Sequence, residues 1–206
     1  ADEYGVKGLA SQGITGTGKT LAGLICAKKW FEDYPTLARL IIQVPTEALQ
    51  KQWYNIVSNS RIANVSRQGG GHRYDGFSPI VIVIQNSLKN LIDHSNFKNK
   101  QVLFILDEAH RAAAKGTLSW LKRFRTEQMM QGCIALSSTM KRADGGDIME
   151  ITGSDNGQPH IVYGYKDALA DGVIPPFRIH VMELTDEDLT GGEKDDLEML
   201  NKQIAI

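Results

Sequence analysis

The chain has few of the features that mark a membrane-spanning, secreted or disulfide-held protein. Its longest unbroken apolar runs, such as residues 80–84 and 102–106, hold five residues, whereas a bilayer-spanning helix needs roughly twenty. No transmembrane helix is predicted. Two cysteines among 206 residues, Cys26 and Cys133, exclude a disulfide framework. Neither has a second cysteine or a histidine nearby at zinc-ligand spacing, so both read as small buried apolar residues in a reducing compartment. The opening Ala1-Asp2-Glu3-Tyr4 has neither the basic nor the apolar stretch of a secretory signal. The expected location is intracellular: cytoplasm or nucleoid, or the nucleus of a eukaryote. A dominant charge is also lacking, since 23 basic and 24 acidic residues leave a net charge of −1. That balance hides an asymmetry. Residues 181–206 carry eight acids and two bases, net −6, while residues 1–180 carry 16 acids and 21 bases, net +5. A mildly basic body is compatible with contact to a phosphate backbone without amounting to a basic stripe.

What is present is ordinary globular composition, 42% hydrophobic and 23% charged, in a length that favours one domain. Short apolar, β-rich runs alternate with stretches of helical period, the pattern of a mostly parallel sheet with helices on both faces. Strands are predicted at 8–12, 40–44, 63–67, 80–84, 102–106 and 133–137, and helices at 19–31, 46–58, 87–93 and 117–127. The fold class is α/β. Residues 68–79, with Gly69, Gly70, Gly71 and Gly76, predict a surface loop. A second glycine and aspartate cluster at 143–157 separates the last core strand from a C-terminal segment of different character.

The strongest chemical signal is Gly13-Ile14-Thr15-Gly16-Thr17-Gly18-Lys19-Thr20, a full P-loop pattern between a predicted strand and a predicted helix. Residues 15–20 are the candidate nucleotide-binding loop. The glycines let backbone N–H groups turn inward around a phosphate, and the helix N-terminus adds positive potential. Lys19 would reach the β- and γ-phosphates, and Thr20 would place a hydroxyl on Mg²⁺. The second signal, Asp107-Glu108-Ala109-His110, follows the apolar strand at 102–106, at the sheet edge where ligands bind in open α/β folds. Asp107 there would help Thr20 hold Mg²⁺, and Glu108 would align and deprotonate the attacking water.

Together these two motifs resemble motifs I and II of the superfamily 2 DEAD/DEAH-box helicases and translocases. Val44-Pro45-Thr46 through Gln52-Trp53 is similar to motif Ia, and Gln85-Asn86-Ser87-Leu88 to the next backbone-contact motif. Ala135-Leu136-Ser137-Ser138-Thr139 stands at the place of motif III, where Ser138 replaces the usual alanine and Met140 stands where many relatives have proline. Arg142-Ala143-Asp144 and the stretch 165–178 resemble the XPB and UvsW-like DNA branch, which is also similar to restriction-enzyme motor subunits. The resemblance spans about residues 7–190.

It implies a RecA-like domain that binds ATP and Mg²⁺. Pro45, Thr46, Ser87 and Arg142 would contact the nucleic-acid backbone, with Lys89 and Arg111 as nearby cations. His110, Ser137, Ser138 and Thr139 would couple that contact to the ATP site. The resemblance also implies a second RecA-like domain that supplies arginines to the ATP site, with 1–180 forming the first motor domain and 181–206 leading toward the second. DNA is the expected polymer, and no membrane partner is expected. An RNA helicase or restriction motor remains an alternative, as does an ATP-dependent switch or scaffold without turnover. His72, His94, His160 and His180 have no metal spacing and read as surface or packing residues. Trp30, Trp53 and Trp120 fall at helix positions that suit core contact, and Trp53 is also placed to support the backbone-contact surface.

Overall fold

Runs rich in Val, Ile and Leu gain most from burial on both faces of a sheet, and these runs pair side by side. The computed structural model describes residues 7–140, 146–153 and 157–176. Within them β1 (Lys7–Gly13), β2 (Ala38–Val44), β3 (Val65–Gln68), β4 (Ile80–Ile84), β5 (Gln101–Asp107), β6 (Gly132–Ser137) and β7 (Ile161–Tyr163) form one sheet. Its order is β3-β4-β2-β5-β6-β1-β7, and every neighbouring pair is parallel. All carboxyl ends therefore lie along one edge.

Two apolar layers sandwich this sheet. On one face α1 (Lys19–Asp33) and α2 (Glu47–Ser60) bring Ala27, Trp53 and Val57 onto Leu40, Ile42, Ile105 and Leu136. On the other, α3 (Ala109–Ala112), α4 (Lys115–Thr126) and α5 (Met149–Thr152) bring Ala112, Leu121, Phe124 and Ile151 onto Ile41, Val83, Phe104 and Ala135. The period of two along each strand assigns alternate residues to the two layers. α6 (Tyr165–Ala170) follows β7. No helix among the described residues is long and apolar enough to cross a membrane.

Local chemistry starts α2 sharply. Thr46, in extended conformation, accepts the backbone N–H of Leu49 on its hydroxyl (3.3 Å), and Glu47 places an acid in the first turn, as the helix dipole favours. Gln50, Trp53 and Val57 then face the sheet at helical spacing. The buried Gln50 amide donates to the carbonyls of Gln68 (3.1 Å) and Ile82 (3.0 Å), tying α2 to β3 and β4.

The six predicted strands and the four predicted helical regions lie close to where the sequence places them, with some differences, among them the short helices α3 and α6, which were not predicted. Residues 87–93 are not α-helical: Gln85–Leu91 is a 3-10 helix, and its buried Leu88 and Leu91 are three residues apart, matching three residues per turn. β7 was not expected, because three residues carry no readable alternation; parallel pairing of Ser11 with Ile161 forms it. α5 falls inside the glycine and aspartate cluster at 143–157. Of that cluster, 143–145 and 154–156 lie outside the described residues, as does the acidic segment 181–206. The 68–79 stretch is a loop, closed by reciprocal backbone bonds between Gly69 and His72 (2.9 and 3.1 Å).

Two tests follow from this packing. Burial pushes the Cys133 thiol up to about 12, while Cys26 is half-buried. At pH 8 an aromatic disulfide reagent should therefore label Cys26 in the native chain, and Cys133 only in denaturant. Gly8 of β1 lies against α5 so closely that a Cβ would stand 1.8 Å from the Thr152 carbonyl oxygen. Gly8→Ala should lower the stability seen in urea unfolding by about 1–3 kcal/mol, the usual cost of overpacking.

Candidate functional site

β1 ends at Gly13 and α1 begins at Lys19, so the intervening loop must reverse direction within a few residues. Gly16 (φ 88°) and Gly18 (φ 80°) make this turn in left-handed conformations. A Cβ at either would meet open space, so backbone conformation is what calls for glycine there. Thr17 closes the loop by donating its hydroxyl to the Ile14 carbonyl (2.7 Å). Lys19 Nζ donates to the carbonyls of Gly13 (2.7 Å) and Ile14 (2.9 Å), which aims the ammonium into the loop. Thr15 and Gly16 are exposed, and Thr20 is half-buried in the first turn of α1. Free N–H groups at a helix start, a cation and a hydroxyl form an anion-binding cradle.

Two strands away, β5 ends at Asp107. β6 lies between β5 and β1, and its register aligns the three ends: Asp107 is opposite Leu136, and Gln12 is opposite Ser137. Asp107 is 6% exposed. One carboxylate oxygen accepts the Trp53 indole N–H at 2.7 Å, and the other accepts the Glu108 backbone N–H at 3.1 Å. Glu108 then turns the chain with φ 49° and ψ 52°, a left-handed conformation that a residue with a Cβ adopts only under constraint. The turn ends the strand and leaves the Glu108 carboxylate half-buried at the edge, 3.5 Å from His110 Nδ1.

His110, on α3, also bonds Ser137 Oγ through the same nitrogen at 2.8 Å. Ser137 is fully buried, and its hydroxyl oxygen accepts the Thr139 backbone N–H at 3.3 Å. Glu108, His110, Ser137 and Thr139 are thus joined in a continuous polar chain. Ser138 is half-buried between them and Thr139 is exposed.

The expected nucleic-acid contacts lie on the same edge, beyond β5. Pro45 and Thr46 follow β2, and Ser87 lies just past β4; these strands are adjacent, with Val44 opposite Ile84. The glycine turn after β3 fills the space beside them. A Cβ on Gly69 would stand 2.6 Å from Ser87 Oγ, and one on Gly70 would stand 2.9 Å from Glu47 Cγ. Gln85 donates its side-chain amide to the Arg111 carbonyl (3.0 Å), joining this region to α3. Lys89 and Arg111 are exposed. Arg142, the remaining expected contact, lies outside the described residues.

Sequence reasoning did not find the bond between Trp53 and Asp107. Its signal was parity: Leu103, Ile105 and Asp107 alternate onto the α1/α2 face, and Trp53 is on the sheet-facing side of α2.

A P-loop at the end of β1, an acidic pair at the end of β5 and an all-parallel sheet define a RecA-like domain. The DEAD/DEAH box helicase family model matches residues 5–145, and the chain belongs to that family. No curated protein matches it significantly. Among solved structures, a hypothetical ATP-dependent RNA helicase from Sulfolobus tokodaii is similar at 17% identity and TM-score 0.58, covering 80% of this chain and 50% of that one. UvsW of T4 is similar at 20% and 0.55, covering 77% and 31%. The SWI2/SNF2 ATPase core of Sulfolobus solfataricus, solved in complex with double-stranded DNA, is similar at 19% and 0.51, covering 71% and 31%. The chain spans half or less of the length of each. At these identities the likeness is one of fold.

Ser137→Ala should leave the Thr139 N–H without an acceptor and His110 without its serine partner. Water can reach both groups, so we expect a loss of about 0.5–1.5 kcal/mol, the usual net worth of a hydrogen bond, read by urea unfolding.

Proposed function

We propose that the chain is the first motor domain of a DNA-dependent ATPase of helicase or translocase type. The supporting observation is the alignment of three adjacent strand ends: the P-loop after β1, Ser137 ending β6, and Asp107 with Glu108 at the end of β5. Lys19 and the N–H groups of residues 15–20 hold the phosphates. Thr20 and Asp107 offer a hydroxyl and a carboxylate, hard oxygen donors of the kind Mg²⁺ takes alongside phosphate and water. Among the described residues no group of three or more His, Cys, Asp or Glu forms a metal cluster, which suits a metal that draws most ligands from the nucleotide. When bound, Mg²⁺ neutralises charge on the transferring phosphoryl group. Glu108 orients a water in line with the γ-phosphate and takes its proton.

His110, Ser137, Ser138 and Thr139 carry changes at that site toward the edge formed by Pro45, Thr46 and Ser87, with Arg142 as a further contact. Thr46 still has its hydroxyl hydrogen to give to a phosphate, because its oxygen acts as acceptor for Leu49. Residues 1–180 form this domain and 181–206 lead toward a second RecA-like domain that supplies arginines. DNA is favoured over RNA by the resemblance of 142–144 and 165–178 to the DNA branch.

Nucleotide binding is tested by titrating a fluorescent ATP analogue into the chain and into Lys19→Ala. The substitution should abolish binding while leaving the fold intact, with stability lowered only by the loss of the two loop bonds of Lys19, and equal affinity would remove the P-loop assignment. Turnover by the chain alone should be well under about one per second, because a missing arginine finger costs on the order of 10³ to 10⁵ in rate. Polymer binding is tested by anisotropy with labelled single-stranded DNA, duplex DNA and RNA. A body of net +5 should bind DNA weakly, at low salt, with affinity falling steeply as salt rises, and more weakly still in Thr46→Ala. Preference for RNA would overturn the choice of polymer. Absence of binding to any polymer would favour an ATP-dependent switch over a motor.

A further inference from the structure

Asp107 is held in an unusual way for a carboxylate at a strand end. Its backbone belongs to β5, but its outer oxygen is bonded by a side chain from a different element, Trp53 of α2, at 2.7 Å. Trp53 is 1% exposed, and the far end of its ring packs on α1: a Cβ placed on Gly23 would stand 3.3 Å from its Cη2. One indole therefore spans from the helix that follows the P-loop to the carboxylate expected to face the metal.

Indole suits this task chemically. It is a donor only, so it fixes a carboxylate without competing as a ligand, and it does not titrate. With one N–H on each oxygen, Asp107 keeps a further lone-pair site on both for a cation. The seven-position step from Thr46 to Trp53 spans about two turns of α2, about 10 Å of rigid helix, between the proposed backbone-contact edge and this bond.

We propose that Trp53 is a positioning residue of the nucleotide site, whose N–H sets the orientation of the Asp107 carboxylate and makes it depend on the placement of α2. This rests on the reading of Thr20 and Asp107 as the metal-holding pair. Groups that orient a metal-binding side chain typically change metal affinity 10–100-fold when removed.

Trp53→Phe keeps the ring and removes the donor. In titrations with the fluorescent ATP analogue, its affinity in EDTA should stay within about twofold of the unaltered chain, while the gain in affinity on adding Mg²⁺ should shrink about tenfold. In an Asp107→Ala background the same substitution should change nothing further, because the effect runs through Asp107. An undiminished Mg²⁺ gain, or an equal loss with and without metal, would overturn the proposal and leave Trp53 a packing residue. A chain that binds nucleotide with no Mg²⁺ gain would overturn it while the P-loop assignment stands; a chain that binds no nucleotide overturns both.

A second measurement does not require Trp53→Phe to fold. In ¹⁵N-indole-labelled protein the Trp53 N–H signal is the one retained in both Trp30→Phe and Trp120→Phe. It should move on adding Mg²⁺ with the nucleotide and in Asp107→Ala, while the Trp30 signal, whose N–H is held by the Gln101 carbonyl, stays in place. A Trp53 signal indifferent to Asp107→Ala would mean that the bond is absent and the proposal wrong.

Discussion

Parallel pairing of β5, β6 and β1 is the constraint on which the site depends. Parallel strands put every carboxyl end on one edge, and the register of these three sets Asp107 opposite Leu136 and Ser137 opposite Gln12, so that Gly13, Ser137 and Asp107 end their strands within two residues of one level. Neighbouring strands are about 4.8 Å apart, so a cradle on β1 and an acid on β5 stand two strand spacings, roughly 10 Å, apart. A slip of one residue in β5 would send Asp107 to the opposite face, away from Trp53 and α1. Residues 102–106 and 133–136 are almost wholly inaccessible and packed on both sides, so the fit of individual side chains within each layer holds the register.

The same period of two divides the chemistry between the faces. Asp107 shares the α1/α2 face with Trp53, whereas Ser137 shares the opposite face with Cys133 and Ala135 and meets His110 of α3. Glu108 stands at the crossing point. Its left-handed backbone, φ 49°, costs on the order of 1–2 kcal/mol in a residue with a Cβ. A buried strand before it and buried Ala109 and Ala112 after it hold the turn. In the P-loop the corresponding need for left-handed backbone is met by Gly16 and Gly18 without strain.

α2 joins these parts mechanically. It starts at Thr46 on the carboxyl edge of the sheet, is fastened to β3 and β4 by Gln50, and reaches the Asp107 carboxylate through Trp53. The second route between the two regions, from Gln85 to the Arg111 carbonyl and on through α3 to His110, lies on the other side of the sheet. The first route consists of buried or half-buried polar groups with satisfied partners, the condition under which such a network is rigid, whereas the second passes through an exposed bond at Arg111.

Much of this was legible in the chain. Apolar runs marked β2, β4, β5 and β6, the alternation of those runs with helical stretches marked the α/β pattern, the glycine spacing with Lys19 and Thr20 marked the loop, and an acid directly after an apolar run marked Asp107. Each of these is local: propensity, period or motif within a dozen residues is enough to specify it. Three features were decided only by tertiary structure. The three-residue β7 exists because β1 offers an open edge; residues 85–91 wind as a 3-10 helix because Leu88 and Leu91 must both enter the core; and Trp53 holds Asp107 across 54 positions of sequence. Contacts at such separation depend on strand order and on which face each residue occupies, and neither quantity exists until the sheet has formed.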